Sequence, residues 1–504
     1  MRRNVERAWT CPRPADWKSA TQQVGNLRHL PRMISAIARK EFLDVWRDGR
    51  FRIAAAVVVV LLGVALLLAW QQVQRARAER AAAAALEREN WLNQGEKNSH
   101  SAGHYGVYVF KPLAPLAVFD RGLEPFVGST VFLEAHRQNQ AAFLPAQDAT
   151  AMRRFGELTA ATGLQLLAPL LVVLLTFGAL AGERERGTLR QVLSLGVRPR
   201  DLVLGKAIGL GVALAVLLVP VALFGAVALA NLPEGDAGGS WLRFAWLGGA
   251  YALYLAAILA VCLAVSAVAS TARTALATLL VCWAANAVLA PRLASDFAQR
   301  VLPTPKLAEF ETAMHKAVQE GLDGHSPRQQ QLQEFAQQTL KKHGKTRIEE
   351  LPFNFNGLVM LESERLAGEV FDHHFAKLWD RLEAQDRIVT WTGLVAPLLG
   401  LRAASMALAG TDFTQHRHFS VAAEQHRRDF VRVLNEEMMN NTAGGHHGGV
   451  AGRSLWEKLP AFRYDPPPPA HALRAAAPGL MVLFLWAAGA WTALLLVAPR
   501  LKPN

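Results

Sequence analysis

The sequence predicts an all-α polytopic membrane protein with six transmembrane helices and two mainly helical extracytoplasmic domains. Three observations predict this class: long apolar runs, two long polar segments between them, and an uneven distribution of basic residues. Of the 504 residues, 51% are hydrophobic. Six runs approach the roughly 20 residues needed to cross a hydrocarbon core of about 30 Å, and they cover 53–70, 162–181, 202–230, 244–270, 274–290 and 475–498.

The charged residues indicate which ends of these helices face the cytoplasm. Twelve Lys and Arg but only five Asp and Glu precede the first run, and short basic flanks stay on the cytoplasmic side. Both termini are therefore expected in the cytoplasm. With this topology the inside segments carry a net charge of +13, whereas the outside segments, mainly 71–161 and 291–474, carry none. Because the basic residues flank membrane helices, we do not expect the protein to bind nucleic acid.

The segments outside the six runs differ in character. Residues 1–32 are basic and have no clear period, so we expect a disordered tail there. From Met33, apolar residues recur along one helical stripe, which predicts an amphipathic connecting helix at 33–52. The segment 71–161 begins with an Ala-, Arg- and Glu-rich stretch that favours extension of the first membrane helix into water. The segment 291–474 contains four amphipathic stretches and is expected to be a compact helical domain.

An apolar run at 392–410 is a candidate for a seventh crossing. Arg402 lies near its middle, and a charge at that depth costs about 2.5–3.5 kcal/mol on insertion scales. We therefore interpret the run as a buried or interfacial part of the outside domain. The three cysteines, Cys11, Cys262 and Cys282, all lie outside the two large polar segments, so no disulfide framework is expected there.

The inside loop at 182–201, GERERGTLRQVLSLGVRPRD, is unusually structured for a connection between two membrane helices. Thr188 and Gln191 have the spacing of a capping box at the start of a helix. Gly196 fits the left-handed residue that follows a helix, and Pro199 fits the first turn of the next one. The sequence therefore predicts a helix of about two turns across the inner face.

The apolar side of this short helix allows two interpretations. Leu189, Val192 and Leu193 lie on one side, where they can dock into a groove of a cytoplasmic partner. Alternatively, the helix rests on lipid headgroups and only joins two crossings. The spacing of these residues does not distinguish the two interpretations.

Several stretches of the chain resemble a known family, the type-2 ABC-transporter permeases, which are the membrane subunits of type V exporters. The run ERERGTL at 183–189, followed by Gly-Lys at 205–206, is similar to the family's coupling-helix loop, and ARKEFLDVWRDGR at 38–50 is similar to its connecting helix. The stretches AGTDFTQHRHF at 409–419 and AEQHR at 423–427 resemble a branch whose second outside loop is a domain of unknown function.

This resemblance implies the fold, a role in export and the residues that contact the motor. It implies two permease subunits, identical or different, working with two ABC ATPase subunits in a bacterial inner membrane. The coupling residues that it implies are Glu183, Arg184, Glu185, Gly187, Thr188 and Leu189, with Val192 on the same helix. Separately, the spacing of Gly205 and Gly209 permits close helix packing.

The chain contains no phosphate-binding loop of the form Gly-x-x-x-x-Gly-Lys-Ser/Thr. We therefore expect a transmembrane subunit with no cofactor and no catalysis of its own, driven by ATP that a partner binds. A gradient-driven transporter is the first alternative, but it needs ionisable groups within the bilayer, and the six runs have none at mid-depth. Asn286 is their clearest polar group, and it could either line a pathway or hydrogen-bond between packed helices.

A membrane-anchored periplasmic protein that handles copper or zinc is the second alternative. Fourteen of the 15 histidines fall in the predicted outside segments, and neutral imidazoles bind both metals. However, the sequence contains no His-Glu-x-x-His motif, and no cysteine lies near the histidine clusters. We therefore expect solvated histidines and predict no metal site.

Overall fold

The computed structural model of the chain describes residues 33–145, 159–231, 239–441 and 449–501. The tail predicted at 1–32 lies outside the described residues. Helices dominate the described part, together with two small antiparallel sheets. Five described helices are long and apolar enough to cross a membrane, and a sixth qualifies when its two bent halves are joined. The predicted all-α polytopic fold class is confirmed.

The described chain begins with a short helix, α1, at 33–47, and a very long one, α2, at Gly49–Leu92. The 44 residues of α2 extend over about 66 Å at 1.5 Å per residue, which is about twice the thickness of the hydrocarbon core. Its first half is the first apolar run. Its second half continues as helix because Ala, Arg and Glu favour helix strongly, as the sequence predicted.

The described part of the first outside segment contains five short elements after α2. They are β1 (Lys97–Asn98), α3 (Ser99–Tyr105), β2 (Val107–Phe110), a 3-10 turn (Pro115–Val118) and β3 (Thr130–Leu133). β2 and β3 form an antiparallel pair in which Val109 lies opposite Val131. Valines and aromatic residues favour such a pair. The sequence analysis did not predict these strands.

Four of the spans and the inside loop lie between 160 and 301. The spans are α4 (Ala160–Thr162, a π-helical turn at Gly163–Leu167, and Ala168–Thr176), α7 (Pro199–Ala230), α8 (Ser240–Val268) and α9 (Ala272–Ala284, a π-helical turn at Ala285–Leu289, and Ala290–Val301). The inside loop contains two short helices, α5 (Ala181–Glu185) and α6 (Thr188–Ser194). α7 bends by 40° between Pro199–Val216 and Leu218–Ala230, since Pro220 cannot donate a hydrogen bond to the carbonyl of Val216.

The second outside segment and the last span complete the chain. They comprise α10 (Leu307–Glu320), α11 (Arg328–Lys342), α12 (Phe355–Thr392), α13 (Pro397–Ala409), α14 (Phe413–Asn440), β4 (Val450–Ala451), α15 (Arg453–Lys458) and α16 (Pro469–Val497). β4 pairs with β1. The Trp91 ring, near the end of α2, lies 4.9 Å from the ring of Phe430 and 5.5 Å from that of Trp456. The two outside segments therefore share a core.

α13 occupies the run at 392–410 that sequence analysis excluded as a crossing. Its 13 residues extend over only about 20 Å, which is too short to cross a membrane. It is buried, as expected, but among the spans: Leu401 and Leu408 belong to the same core cluster as α8 and α16. The backbones of α13 and α16 approach closely at Gly400 and Gly479. A Cβ added at Gly479 would lie only 2.5 Å from the carbonyl oxygen of Gly400, so a larger residue does not fit there.

Candidate coupling site

The inside loop is held by polar contacts to the C-terminal end of α8. The Ser266 hydroxyl accepts a hydrogen bond from the backbone N–H of Ala181 at 3.1 Å. The Arg184 guanidinium donates to the carbonyl of Ala267 at 2.6 Å and also to that of Ala269. These carbonyls lie at the end of a helix, where they have no partner within the helix. Arg184 therefore fastens α5 to the end of α8.

A buried ammonium joins the loop to α1 and α7. Lys206 in α7 is 1% exposed, and its Nζ lies 2.7 Å from both Glu41 Oε1 in α1 and Glu183 Oε1 in α5. Lys40 contacts the same carboxylates from the protein surface. Its Nζ lies 3.2 Å from Glu41 Oε1 and 3.8 Å from Glu183 Oε1. Burial alone would lower the pKa of Lys40, but Glu41 and Asp44 outweigh it and raise this pKa. One ion cluster therefore connects three elements.

The beginning of α6 differs from the prediction. Gly187, and not Thr188, is the residue that precedes the helix; it adopts a left-handed φ of 75°, and no side chain caps the first turn. The Thr188 hydroxyl donates instead to the carbonyl of Glu183 at 3.2 Å. The predicted capping box of Thr188 and Gln191 is therefore wrong, because Thr188 already lies within the helix. At the other end Gly196 has the expected left-handed φ, 86°.

The φ of Gly187 leads to a prediction about the stability of α6. A Cβ added there meets nothing within 4 Å, so Gly187→Ala acts only through the left-handed conformation, at about 1–2 kcal/mol. We expect hydrogen–deuterium exchange of amides 188–195 to accelerate by about 5–30-fold, since each 1.4 kcal/mol is about tenfold. Asn tolerates this conformation, so Gly187→Asn is the control and should exchange more slowly than Gly187→Ala. Equal exchange in Gly187→Ala and the parent would contradict the role of this φ.

The apolar side of α6 faces the helix bundle. Leu189 is 2% exposed and belongs to the main core cluster, against which Val192 and Leu193 also pack. Leu189 is therefore buried in the bundle, whereas Val192 and Leu193 are only partly buried; contact of these side chains with a partner stays a prediction. Leu195, in contrast, is 83% exposed. The remaining exposed residues of the loop are mainly polar or basic, and they include Glu185, Arg186, Arg190 and Gln191.

Gly205 and Gly209 face α1. A Cβ added at Gly205 would lie 2.6 Å from a side-chain carbon of Ile37, and one added at Gly209 would lie 2.5 Å from the carbonyl oxygen of Ala38. Two small residues four positions apart therefore let α1 lie directly against α7, beside the ion cluster around Lys206.

Asn286 lies in the π-helical turn of α9 and links three elements. Its Nδ2 donates to the Tyr254 hydroxyl of α8 at 3.2 Å, and its Oδ1 accepts from the backbone N–H of Leu398 in α13 at 3.2 Å. These contacts correspond to the second role considered for this residue, a hydrogen bond between packed helices. A place for Asn286 on a transport pathway stays a prediction.

A buried polar network also lies within the bundle, and sequence reasoning missed it. Gln165 donates to the Tyr251 hydroxyl at 3.1 Å and accepts from Arg402 Nε at 3.2 Å. The Tyr251 hydroxyl lies 3.1 Å from that of Ser405, which donates to Asp120. Arg402 and Asp120 come from outside the six apolar runs, so the composition of those runs does not reveal them, although Arg402 interrupts the apolar stretch at 392–410.

The helices and the fastened inside loop define a multi-pass membrane subunit. A family model described as "ABC-2 family transporter protein" matches residues 35–346, more than half of the chain. The chain therefore belongs to the ABC-2 transporter family, and it is a permease subunit that pairs with an ABC ATPase. A second model, "Domain of unknown function (DUF3526)", matches residues 308–465, which contain α10 to α15. No curated protein matches the chain.

Proposed function

We propose that this permease exports a substrate from bacterial cells, and that α6 transmits the movement of the ATPase to the spans. The fastening of α5 and α6 supports this proposal most directly. The loop exposes a polar and basic surface around Leu195, while its inner side is bonded to α1, α7 and α8 through Lys206 and Arg184. A partner that displaces α6 therefore displaces three helices together.

The proposed cycle follows from these contacts. Two permease chains present two loops to two ATPase subunits, which bind all the ATP, so the permease itself has no catalytic role and needs no cofactor. When ATP draws the ATPases together, each pushes on an α6 helix. The bonds of Glu183 to Lys206 and of Arg184 to the Ala267 carbonyl transfer that displacement to α7 and α8. The repacked spans then release substrate toward the outside segments.

The proposal places both termini and α6 in the cytoplasm of the inner membrane, and the outside segments in the periplasm. Single cysteines test this topology in a background without Cys11, Cys262 and Cys282. We expect an impermeant maleimide to label Glu89→Cys and Glu350→Cys in intact cells, because both native residues are exposed and lie on the periplasmic side. Ser194→Cys, equally exposed, should be labelled only after lysis. Labelling at 194 before lysis, or protection at 350, would contradict the orientation.

A further inference from the structure

Three histidines of the first outside segment lie together where that segment meets α12. His100, His104 and His136 each offer one ring nitrogen, and these nitrogens all lie within 4.8 Å of one another. His100 and His104 are four residues apart on α3, so they project from the same face of the helix. Their Nε2 atoms are 3.2 Å apart. From the sequence alone, both residues are expected to be solvated and no metal site is predicted.

His136 is held in the cluster by an unusual backbone and a carboxylate. It follows β3 in a tight turn and has a φ of 66°, which is uncommon for a residue other than glycine. Glu364 Oε1, from α12, lies 2.7 Å from both the backbone nitrogen and the ring Nδ1 of His136. Because Nδ1 donates its proton to this oxygen, the lone pair lies on Nε2, which is the form of imidazole that binds metals.

The carboxylate that orients His136 is itself fixed. Glu364 Oε2 accepts from Arg427 Nη1 at 3.0 Å, and Arg427 is 1% exposed and also bound to Glu424. Both carboxylate oxygens of Glu364 therefore have a fixed partner, His136 on one side and Arg427 on the other. A carboxylate that orients a histidine is the usual support of a metal ligand.

We propose that His100, His104 and His136 bind a transition-metal ion of the zinc type, with Glu364 positioning His136. Nitrogen atoms bound to zinc at about 2.0–2.1 Å in a tetrahedron lie about 3.4 Å apart, and the His100–His104 separation of 3.2 Å already matches this value. All three nitrogens lie within 4.8 Å of one another, so the His136 nitrogen and the pair on α3 need to approach by no more than about 1.4 Å, which rotation of the His100 and His104 side chains can supply while Glu364 keeps His136 in place.

The ligand set also defines the chemistry of the site. Three neutral imidazoles select Zn²⁺ or Cu²⁺ over Mg²⁺ and Ca²⁺, which prefer oxygen ligands. Among the described residues no fourth His, Cys, Asp or Glu joins the group, and His104 is exposed. The fourth coordination position therefore faces solvent, as in metal sites that bind a water or a ligand molecule. The ion would tie α3 to the turn after β3, and Glu364 connects that turn to the domain of unknown function, a role that goes beyond the proposed coupling.

Zinc titration of the full-length protein tests this site. The chain is purified without a polyhistidine tag, carries His446→Ser and His447→Ser to reduce background, and is stripped with a chelator. We expect one Zn²⁺ per chain in competition with a chromophoric chelator, and no displacement by Ca²⁺. His104→Ala should weaken Zn²⁺ binding by at least 100-fold. Because His104 is exposed, this change leaves the fold intact, which size-exclusion chromatography verifies.

Two further variants separate this site from adventitious binding by surface histidines. His373→Ala with His374→Ala removes an adjacent pair on α12 outside the cluster and should leave the affinity unchanged. Glu364→Gln removes the positioning carboxylate and should weaken binding by about 10–100-fold while stoichiometry is retained. The proposal is overturned if the parent binds no Zn²⁺ above the chelator background, or if His104→Ala binds as tightly as the parent. Neither result depends on the ATPase, so the proposed function is tested separately.

Discussion

Lys206→Met is expected to destabilise the protein by about 3–5 kcal/mol, the usual effect of breaking a buried ion pair by removing one partner. Lys206 is 1% exposed and bonds two carboxylates, Glu41 and Glu183. Without the ammonium, the two carboxylates remain close together in a largely buried environment and repel each other. The contact of α1 with α7 and that of α5 with α7 would weaken together. The measurement is thermal unfolding in detergent, together with the yield of monodisperse protein.

The neighbouring lysine supplies a matched control for this prediction. Lys40 contacts the same carboxylates, but its side chain is 60% exposed, so Lys40→Met should change stability by no more than about 1 kcal/mol. Adding Glu41→Gln and Glu183→Gln to Lys206→Met should restore most of the loss, since removal of a whole buried ion cluster is often tolerated. If Lys206→Met unfolds at the temperature of the parent, the ion cluster does not hold the loop.

Leu195→Asp is expected to remove the ATPase from the permease without unfolding it. Leu195 is 83% exposed at the end of α6 and is the large apolar side chain on the polar surface of the loop. If the ATPase covers it, burial contributes about 1.5–3 kcal/mol, so its loss should weaken association by about 10–100-fold. Co-purification of the ATPase, and ATP turnover that depends on the permease, measure this effect.

An exposed apolar residue far from the loop in sequence serves as the control for Leu195. Leu322 follows α10 in the second outside segment and is 51% exposed, so Leu322→Asp makes the same chemical change away from the inner face. We expect normal ATPase association in that variant, and normal chromatographic behaviour in both. Unchanged association in Leu195→Asp would mean that α6 only rests at the membrane surface, which is one of the two interpretations that the sequence leaves open.

The sequence predicted those features of the fold that depend on local pattern. Apolar runs located the helices, and the Ala-, Arg- and Glu-rich stretch predicted the extension of α2. Gly196 and Pro199 were assigned correctly because a single residue determines the backbone at each position. The cap at Thr188 was wrong because Gly187 makes the left-handed turn one residue earlier, and either residue satisfies the local rule. The inward orientation of Leu189 depends on α7 and its neighbours, which no local pattern specifies.

Features that depend on distant contacts could not be predicted. The spacing of His100 and His104 was visible, but His136 joins them only because the turn after β3 reverses the chain. Its support, Glu364, lies more than 200 residues further along. Likewise, Asp120 and Arg402 enter the polar network among the spans from segments whose sequence indicated an outside location. In each case tertiary packing determines the environment of the residue, and composition does not.

The most direct test of the coupling proposal is photo-crosslinking from α6 in cells. A benzoylphenylalanine at position 191 replaces an exposed residue of this helix, and mass spectrometry identifies its adducts; the same probe at position 350 is the control. The account predicts an adduct at 191, absent at 350, with a protein that contains the phosphate-binding loop Gly-x-x-x-x-Gly-Lys-Ser/Thr. Adducts at 191 with lipid alone, while this ATPase is present in the same membranes, would contradict it.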